Sequence, residues 1–342
     1  MIDGVIGHSA VLELLHREAR NPAHAYLLVG PSSVGKATVA LGFAALVVCP
    51  TSGRHDESGC LSCGRVMRGN HADVVLVEAE GATSIGVDQV RSIVSRASLT
   101  PVEGSFTVFV IPEAGLMTEQ AANVILKTLE EPSSTVFILV AESEEDFPAT
   151  VPSRCRTIQL GRVPEPELTA ALMKRGADES AASAAAMVAG GRPGLALSLM
   201  TEPDVAVFRS FWLSVPQRLT PHPGDAARIA AELVARVAPL AERAVPDAGT
   251  AEEKTRARRR AEQALLVGGL EILASWYADA ASLGFGGPIR NRDLTLQPFT
   301  DVTPAHAVRA VDRVLDAVVD IRANLRRELV LAELLAGLGS EM

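Results

Sequence analysis

A glycine-rich turn early in the chain contains the residue types that hold phosphate groups. The sequence GPSSVGKA places Gly30, Gly35 and Lys36 at the spacing G-x-x-x-x-G-K. In such turns the glycines let backbone N–H groups close around phosphate oxygens, and the lysine reaches the β and γ oxygens. A working turn next needs a hydroxyl for Mg²⁺, but Ala37 follows and Thr38 comes one residue late. The sequence therefore predicts weak nucleotide binding at most. The alternative is a strand-to-helix turn whose glycines serve packing.

Three cysteines form a second group with a clear chemistry. Cys49 is followed by Cys60 and Cys63 in a segment rich in glycine, serine and charge. Clustered thiols in a cytosolic chain indicate metal rather than a disulfide framework. A closed structural zinc site has four ligands, and His55 or His71 could supply the fourth. The sequence thus predicts zinc at these cysteines, and the alternative is a loop that keeps the thiols of a lost site.

The elements that must position these groups follow an alternating pattern. Two runs rich in β-branched and apolar residues, 106–111 and 135–141, flank an amphipathic run at 118–131 that stops at Pro132. Strand, helix and strand in this order predict a βαβ unit and hence a parallel sheet. Another strand, predicted at 24–29, leads directly into the glycine-rich turn.

The amino-acid sequences of these segments resemble those of the clamp-loader branch of the AAA+ ATPases. The resemblance rests on the motifs SIGVDQVR, AANVILKTLEEP and SRC, which occur in the same order as in that family. It implies an α/β AAA+ P-loop domain, a parallel sheet flanked by helices, at 1–162 with a Cys-bearing insertion at 49–71. A small helical lid domain at 163–203 and an all-α collar domain at 204–342 would follow. Relatives carry a four-cysteine zinc module in the insertion, and here Val66 stands at its closing position.

The same resemblance implies that several catalytic elements are lost. Active relatives end the third strand with an acidic pair, where this chain has Pro112 and Glu113. They place a sensing Thr or Asn after the fourth strand, where Ala141 stands, and a phosphate-sensing arginine where Gly194 stands. Arg192 lies two positions early. The chain is therefore expected to lack magnesium-dependent ATP hydrolysis of its own.

One arginine of the family pattern is kept. Ser153, Arg154 and Cys155 match the trio by which clamp loaders present an arginine to the nucleotide of a neighbouring subunit. A guanidinium fork in that place neutralises charge building on the γ-phosphate. The resemblance therefore assigns Arg154 a catalytic role in trans, pointing away from its own chain's site. The alternative is an ordinary surface arginine.

Bulk properties limit the remaining possibilities. At 342 residues the chain is expected to form two or three domains. A formal net charge of -9 and a pI near 5.4 argue against independent, high-affinity DNA binding. No uninterrupted apolar stretch is long enough to span a bilayer, so we expect a soluble cytoplasmic protein without membrane contact. The runs 256–281 and 305–338 carry apolar residues at helical spacing and resemble the collar that packs clamp-loader subunits into a ring.

The resemblance also names partners. It implies a heteropentamer with gamma/tau-like motor subunits and a delta-like subunit, which would reach the sliding clamp and primed DNA through the complex. The alternative function is that of an active clamp-loader ATPase of the same family. Ala37, Pro112 and Gly194 argue against this alternative. A third possibility is a free-standing zinc- or nucleotide-binding adaptor, which would leave the helical run 256–338 without a ring to pack into.

Overall fold

The computed structural model describes residues 4–51, 60–79, 84–130, 134–201, 203–243, 245 and 251–340. The chain divides into two compact units, Met1–Leu197 and Ser198–Met342. Most of the segment expected to form the lid belongs to the first unit. The division into three domains stays a prediction.

The first unit is built on a five-stranded parallel sheet with the strand order β2-β3-β4-β1-β5. Its strands are β1 (Ala25–Val29), β2 (Val74–Leu76), β3 (Thr107–Ile111), β4 (Thr135–Ala141) and β5 (Arg156–Gln159). β1, β3 and β4 are buried along their whole length, as parallel strands covered on both faces must be. The predicted βαβ unit and α/β fold class are confirmed by this sheet.

Helices cover both faces of the sheet. One face carries α1 (Ser9–Glu18), α2 (Lys36–Val47) and α3 (Leu61–Met67), and the other carries α4 (Val87–Ala97) and α5 (Glu119–Glu130). Because side chains alternate along a strand, Val108 and Val110 join the first core whereas Phe109 and Ile111 join the second. The sheet is thus the middle layer of three.

The central helix α5 forms where the sequence predicts it. The side-chain oxygen of Thr118 accepts the backbone N–H of Ala121 at 3.2 Å, which caps the first turn. Ala122, Ile125 and Leu129 are buried on the sheet side, as their spacing predicts. The predicted stop at Pro132 lies outside the described residues.

Three short helices close the first unit. They are α6 (Glu165–Met173), α7 (Glu179–Ala189) and α8 (Pro193–Thr201), the last of which runs a few residues past the unit boundary. Gly190 ends α7 with φ 56° in the left-handed region, where glycine is favoured. These helices occupy the segment for which the sequence predicts a lid.

The second unit is all helical over its described residues. Its helices are α9 (Pro203–Arg218), α10 (Pro223–Arg243), α11 (Ala251–Gly284), α12 (Gln297–Thr300), α13 (Pro304–Arg322) and α14 (Arg327–Ser340). The apolar run 305–338 is two helices, because the chain turns between them at Asn324 with φ 62°. Trp212, Trp276 and Tyr277 are fully buried in the core.

One helix of this unit has the length and composition of a membrane span, although the sequence predicts no stretch long enough to cross a bilayer. Within its stretch Ala257–Gly284, a window of 18 residues has a mean hydropathy of 1.2, and half of that window is buried. Leu266, Leu270 and Trp276 of this stretch are at most 1% exposed and pack into the core of the unit. Burial in a protein core accounts for its apolar composition.

Candidate functional site

The carboxyl ends of three strands meet at one edge of the sheet. Val29 pairs with Ala141, and the backbone N–H of Gly30 donates to the carbonyl oxygen of Glu142 at 3.2 Å. Pro112 follows β3 on the other side of β4. The turn and two of the degenerate positions identified in the sequence therefore lie at the same edge, which is where open α/β sheets bind ligands.

The glycine-rich turn closes on itself at this edge. The side chain of Lys36 is buried, and its Nζ donates to the carbonyl oxygens of Gly30 and Pro31, each at 2.6 Å. His8 Nε2 donates to the carbonyl oxygen of Val34 at 3.1 Å. The lysine predicted to hold phosphate thus contacts the turn's own backbone.

Glycine is favoured at positions 30 and 35 of the turn for different structural reasons. Gly30 has φ 149°, and a Cβ there would lie 2.0 Å from the carbonyl oxygen of Leu160, so only glycine allows β1 and β5 to end this close together. Gly35 has φ 101°, and its Cβ would meet nothing within 4 Å. Packing explains the first glycine, and backbone conformation alone explains the second.

The groups that would hold Mg²⁺ are not assembled among the described residues. Ala37 and Thr38 are both exposed on α2, whereas Lys36 beside them is buried and contacts Gly30. Pro112 offers no carboxylate, and Glu113 is exposed where the chain enters a short 3₁₀ turn. The arrangement fits a packing turn better than a site for a magnesium nucleotide.

Helix α8, in the segment predicted to form a lid, touches this turn. The backbone N–H of Gly194 donates to the carbonyl oxygen of Ser33 at 2.9 Å, and a Cβ at position 194 would lie 3.1 Å from that oxygen. Arg192 is buried, and its Nε donates to the carbonyl oxygen of Ala189 at 3.1 Å. The position assigned to a phosphate-sensing arginine therefore does lie against the turn, but glycine fills it.

The three predicted zinc ligands come together at the far end of α2. The sulfur atoms of Cys49, Cys60 and Cys63 all lie within 4.8 Å of one another. Cys49 follows α2, whereas Cys60 and Cys63 begin α3. Burial raises the pKa of the Cys63 thiol, and the neighbouring Cys49 and Cys60 raise it further. A divalent cation would reverse this effect, because a coordinating thiol is deprotonated.

Among the described residues, the candidate metal site has three cysteine ligands and no fourth ligand. Val66, at the closing position, is buried in the core beside the sheet. His71 Nδ1 accepts the backbone N–H of Asp73 at 3.1 Å, so Nε2 carries the proton and donates to Ser62 Oγ at 2.9 Å. Both nitrogens of His71 are therefore engaged elsewhere, and burial lowers its pKa. His55 lies outside the described residues.

Arg154 lies at the opposite edge of the sheet from the turn. It lies two residues before β5, which runs parallel to β1 from Arg156 to the residue beside Gly30. Four residue steps along a strand separate those ends, which is about 13 Å. The side chain of Arg154 is 33% exposed. Arg154 and the chain's own turn therefore lie at opposite ends of these strands.

The guanidinium of Arg154 is held by groups that the sequence analysis did not assign to it. Glu130, at the end of α5, forms an ion pair with Nη2 and accepts from Nε. Nη1 donates to the carbonyl oxygen of Thr150 at 2.9 Å and lies 3.4 Å from Ser153 Oγ. Sequence spacing gave no signal for the pair with Glu130, since 24 residues separate the two.

A stripe of exposed apolar side chains marks α13 of the second unit. Val308, Leu315 and Val319 are 46%, 51% and 64% exposed. Leu325, between α13 and α14, and Leu329 of α14 are also exposed, at 53% and 60%. Val314, Val318 and Ile321 of the same helix face the core. The helical run that the sequence assigned to a collar thus has a buried and an exposed apolar side.

Comparison with known proteins finds relatives for the first unit, which contains the glycine-rich turn, the cysteine cluster and Arg154. Residues 7–164 match the family model described as DNA polymerase III, delta subunit. The resemblance to the clamp-loader family is confirmed. The chain is 35% identical over 151 residues to DNA polymerase III subunit delta' of Bacillus subtilis, covering 43% of this chain and 46% of the relative. With subunit delta' of Pseudomonas aeruginosa it is 38% identical over 136 residues, covering 39% and 42%.

The similarity extends to another member of the clamp-loader family. The chain is 30% identical over 165 residues to DNA polymerase III subunit tau of B. subtilis, covering 47% of this chain and 29% of the relative. The match spans less than half of the length of each of these three relatives. The first unit is therefore similar to the corresponding part of both delta' and tau subunits.

Proposed function

We propose that this chain is a delta-prime-like subunit of a bacterial DNA polymerase III clamp loader that does not hydrolyse ATP itself. It supplies Arg154 to the nucleotide of a neighbouring motor subunit. One observation carries the proposal: Arg154 is partly exposed at the sheet edge opposite the chain's own turn. An arginine in that position either contacts a phosphate bound to another chain or contacts no phosphate at all.

The state of the turn supports the absence of hydrolysis. Lys36 contacts the carbonyl oxygens of Gly30 and Pro31, and Gly194 binds Ser33. Phosphoryl transfer depends on metal ions that bridge the β and γ oxygens and neutralise developing charge. Ala37 has no hydroxyl to hold such an ion. The turn then serves as a packing element between the sheet and the lid.

The cysteine cluster is proposed to hold one zinc ion. Three thiolates from Cys49, Cys60 and Cys63 fit three positions of a tetrahedral zinc site, which binds sulfur at about 2.3 Å. The ion would join the start of α3 to the end of α2 and so fasten the insertion to the sheet. Zinc here would be structural, because the cluster is remote from the turn along α2.

The second unit is proposed to be the collar by which this subunit joins a heteropentamer. Its partners would be gamma/tau-like and delta-like subunits, and the complex would bring it to the sliding clamp and primed DNA in the cytoplasm. The exposed stripe of Val308, Leu315 and Val319 supports this, since contiguous exposed apolar surface marks interaction sites. Within the proposal, the lid spans 163–203 and the collar begins at 204.

An active motor subunit is the competing function, and the similarity to subunit tau favours it. Two features count against it. Ala37 stands where the Mg²⁺-binding hydroxyl is required, and the Gly194 backbone occupies the place of a phosphate-sensing arginine. The isolated chain should therefore show no ATPase activity above that of its Lys36→Ala variant.

Reconstitution with the other clamp-loader subunits of the same genome tests the proposal. Arg154→Ala should leave ring assembly intact and lower the ATPase rate stimulated by clamp and primed DNA. Arginine fingers contribute about 10³ to 10⁵ in rate in GTPase systems. A smaller loss, about tenfold, is expected here because other interfaces keep their own arginines. An assembled Arg154→Ala ring with the unmodified rate would overturn the trans role.

A further inference from the structure

The contact between Glu130 and Arg154 joins two segments that the sheet topology brings together. Glu130 is the last residue of α5, and Arg154 ends the short 3₁₀ turn Pro152–Arg154 before β5. The Oε1 atom of Glu130 accepts from both Nε and Nη2 of the arginine. Both residues are partly exposed, with 33% and 48% of their side chains accessible.

The contact uses one edge of the guanidinium and leaves another. Arginine has five N–H donors in a fixed plane, and Glu130 engages the edge formed by Nε and Nη2. Thr150 O accepts from Nη1 at 2.9 Å, and Ser153 Oγ lies 3.4 Å from the same nitrogen. A second hydrogen on Nη2 is not used by these bonds. That hydrogen lies on the outer edge of the guanidinium and can still meet an anion.

Stability alone gives a weak reason for this ion pair. Exposed pairs of this kind contribute little to folding, because both charges remain solvated and both side chains lose freedom. A carboxylate at the C-terminal end of a helix is also disfavoured by the helix dipole. The pair does restrict a long, flexible arginine to one orientation. An arginine side chain that is already held in one orientation loses less conformational entropy when it binds an anion.

We propose that Glu130 is a positioning residue for Arg154. It holds the inner edge of the guanidinium so that the outer edge is presented to the phosphate of a nucleotide on a neighbouring subunit. This inference rests on the proposed function of Arg154 in trans. The opposite arrangement, in which Glu130 competes with the phosphate for the arginine, predicts faster turnover when the carboxylate is removed.

The test is a double-mutant cycle in the reconstituted clamp loader with sliding clamp, primed DNA and ATP. Glu130→Ala, Glu130→Gln, Arg154→Ala and the Glu130→Ala, Arg154→Ala pair are compared for kcat and KM of ATP hydrolysis. Glu119→Gln is the matched control, because Glu119 is an exposed glutamate at the other end of the same helix. Urea unfolding and the mass of the assembled ring are measured for each variant.

Both Glu130 variants should lower kcat about three- to tenfold, which lies within the range of coupling energies between residues in contact. KM for ATP should change less than kcat, and the unfolding midpoint should stay within error. In the Arg154→Ala background the Glu130→Ala change should have no further effect, since its role acts through the arginine. Glu119→Gln should behave as the unmodified chain.

Each other outcome decides against a specific claim. If Arg154→Ala lowers the rate but the Glu130 variants do not, or if they raise it, the positioning role is wrong while the trans role stands. If Glu130→Ala lowers the rate equally with and without Arg154, the glutamate acts independently and the inference is also wrong. If Arg154→Ala itself has no effect, the proposed function fails and this inference fails with it.

Discussion

The backbone N–H of Gly194 and the carbonyl oxygen of Ser33 are 2.9 Å apart, which ties the first turn of α8 to the glycine-rich turn. A Cβ at position 194 would lie 3.1 Å from that oxygen, tighter than most natural contacts. The contact brings together two positions at which active relatives bind phosphate. In this chain they bind each other.

Nucleotide binding to the isolated chain should be weak and insensitive to Mg²⁺. Phosphates would have to displace Lys36 from the carbonyl oxygens of Gly30 and Pro31, and no hydroxyl at position 37 would hold the metal ion. Titration of a fluorescent ATP analogue with and without Mg²⁺ measures this. Lys36→Ala is the control, and a steady-state ATPase rate clearly above that of the control would contradict the prediction.

Purified protein should contain about one zinc ion per chain if the cysteine cluster binds metal. Structural zinc requires deprotonated thiolates, so its loss should be faster at low pH and in chelator. Cys60→Ser should remove the metal. Cys155→Ser should not, because Cys155 lies outside the cluster. Elemental analysis finding well below half an equivalent, in protein prepared without chelator, would favour a loop of leftover thiols.

The second unit should lose stability in acid through Glu262. This buried carboxylate joins α11 to α14 by accepting from Arg327 at 2.6 Å, and it also pairs with Arg258 in its own helix. Burial acts to raise the pKa of Glu262, but the two arginines outweigh it and lower the pKa overall. A lowered pKa in the folded state gives stability that is present above the ordinary glutamate value and lost as pH falls through the folded one.

Glu262→Gln should therefore destabilise the protein by about 1 to 3 kcal/mol at pH 7, since it leaves partly buried arginine charge unpaired. The difference from the unmodified chain should shrink as the pH falls below about 4.3, where the unmodified glutamate also becomes neutral on unfolding. Urea unfolding at pH 7 and at lower pH measures both. Glu333→Gln, an exposed glutamate on α14, serves as the control. A difference that does not depend on pH would refute the linkage to Glu262.

Much of the first unit could be predicted from the sequence, for physical reasons that differ between elements. β4 forms at the predicted residues because a buried parallel strand is an unbroken apolar run. Cys60 and Cys63 lie close together because they are three residues apart at the start of α3. The pair of Glu130 and Arg154 could not be predicted, since only the packing of α5 against the turn before β5 brings them together. The turn at Asn324 had a signal, because asparagine tolerates positive φ, but apolar periodicity on both sides obscured it.

Arg154→Lys should restore little of the activity lost in Arg154→Ala. Lysine keeps the positive charge, but its ammonium cannot hold Glu130 on one edge and a phosphate on another, because it lacks the planar fork. The ATPase rate and clamp loading of the reconstituted complex measure this, with ring mass as the assembly control. A lysine variant with the unmodified rate would show that charge alone suffices.

Assembly should depend on the exposed stripe of α13. Leu315→Asp introduces a charge at a residue that is 51% exposed, and changes at such positions usually alter stability by less than about 0.5 kcal/mol. Burying that charge against a partner helix would be costly, so affinity for the other subunits should fall at least about tenfold.

Asp316→Arg is the matched control, because it also changes the charge at an exposed position of the same helix outside the stripe. Mass photometry of mixtures with the partner subunits reports the fraction of complete rings, and urea unfolding reports the fold. Equal ring formation by Leu315→Asp and the control would exclude this stripe from the interface. Loss of rings in Leu315→Asp alone, with an unchanged unfolding midpoint, would place the subunit contact on α13.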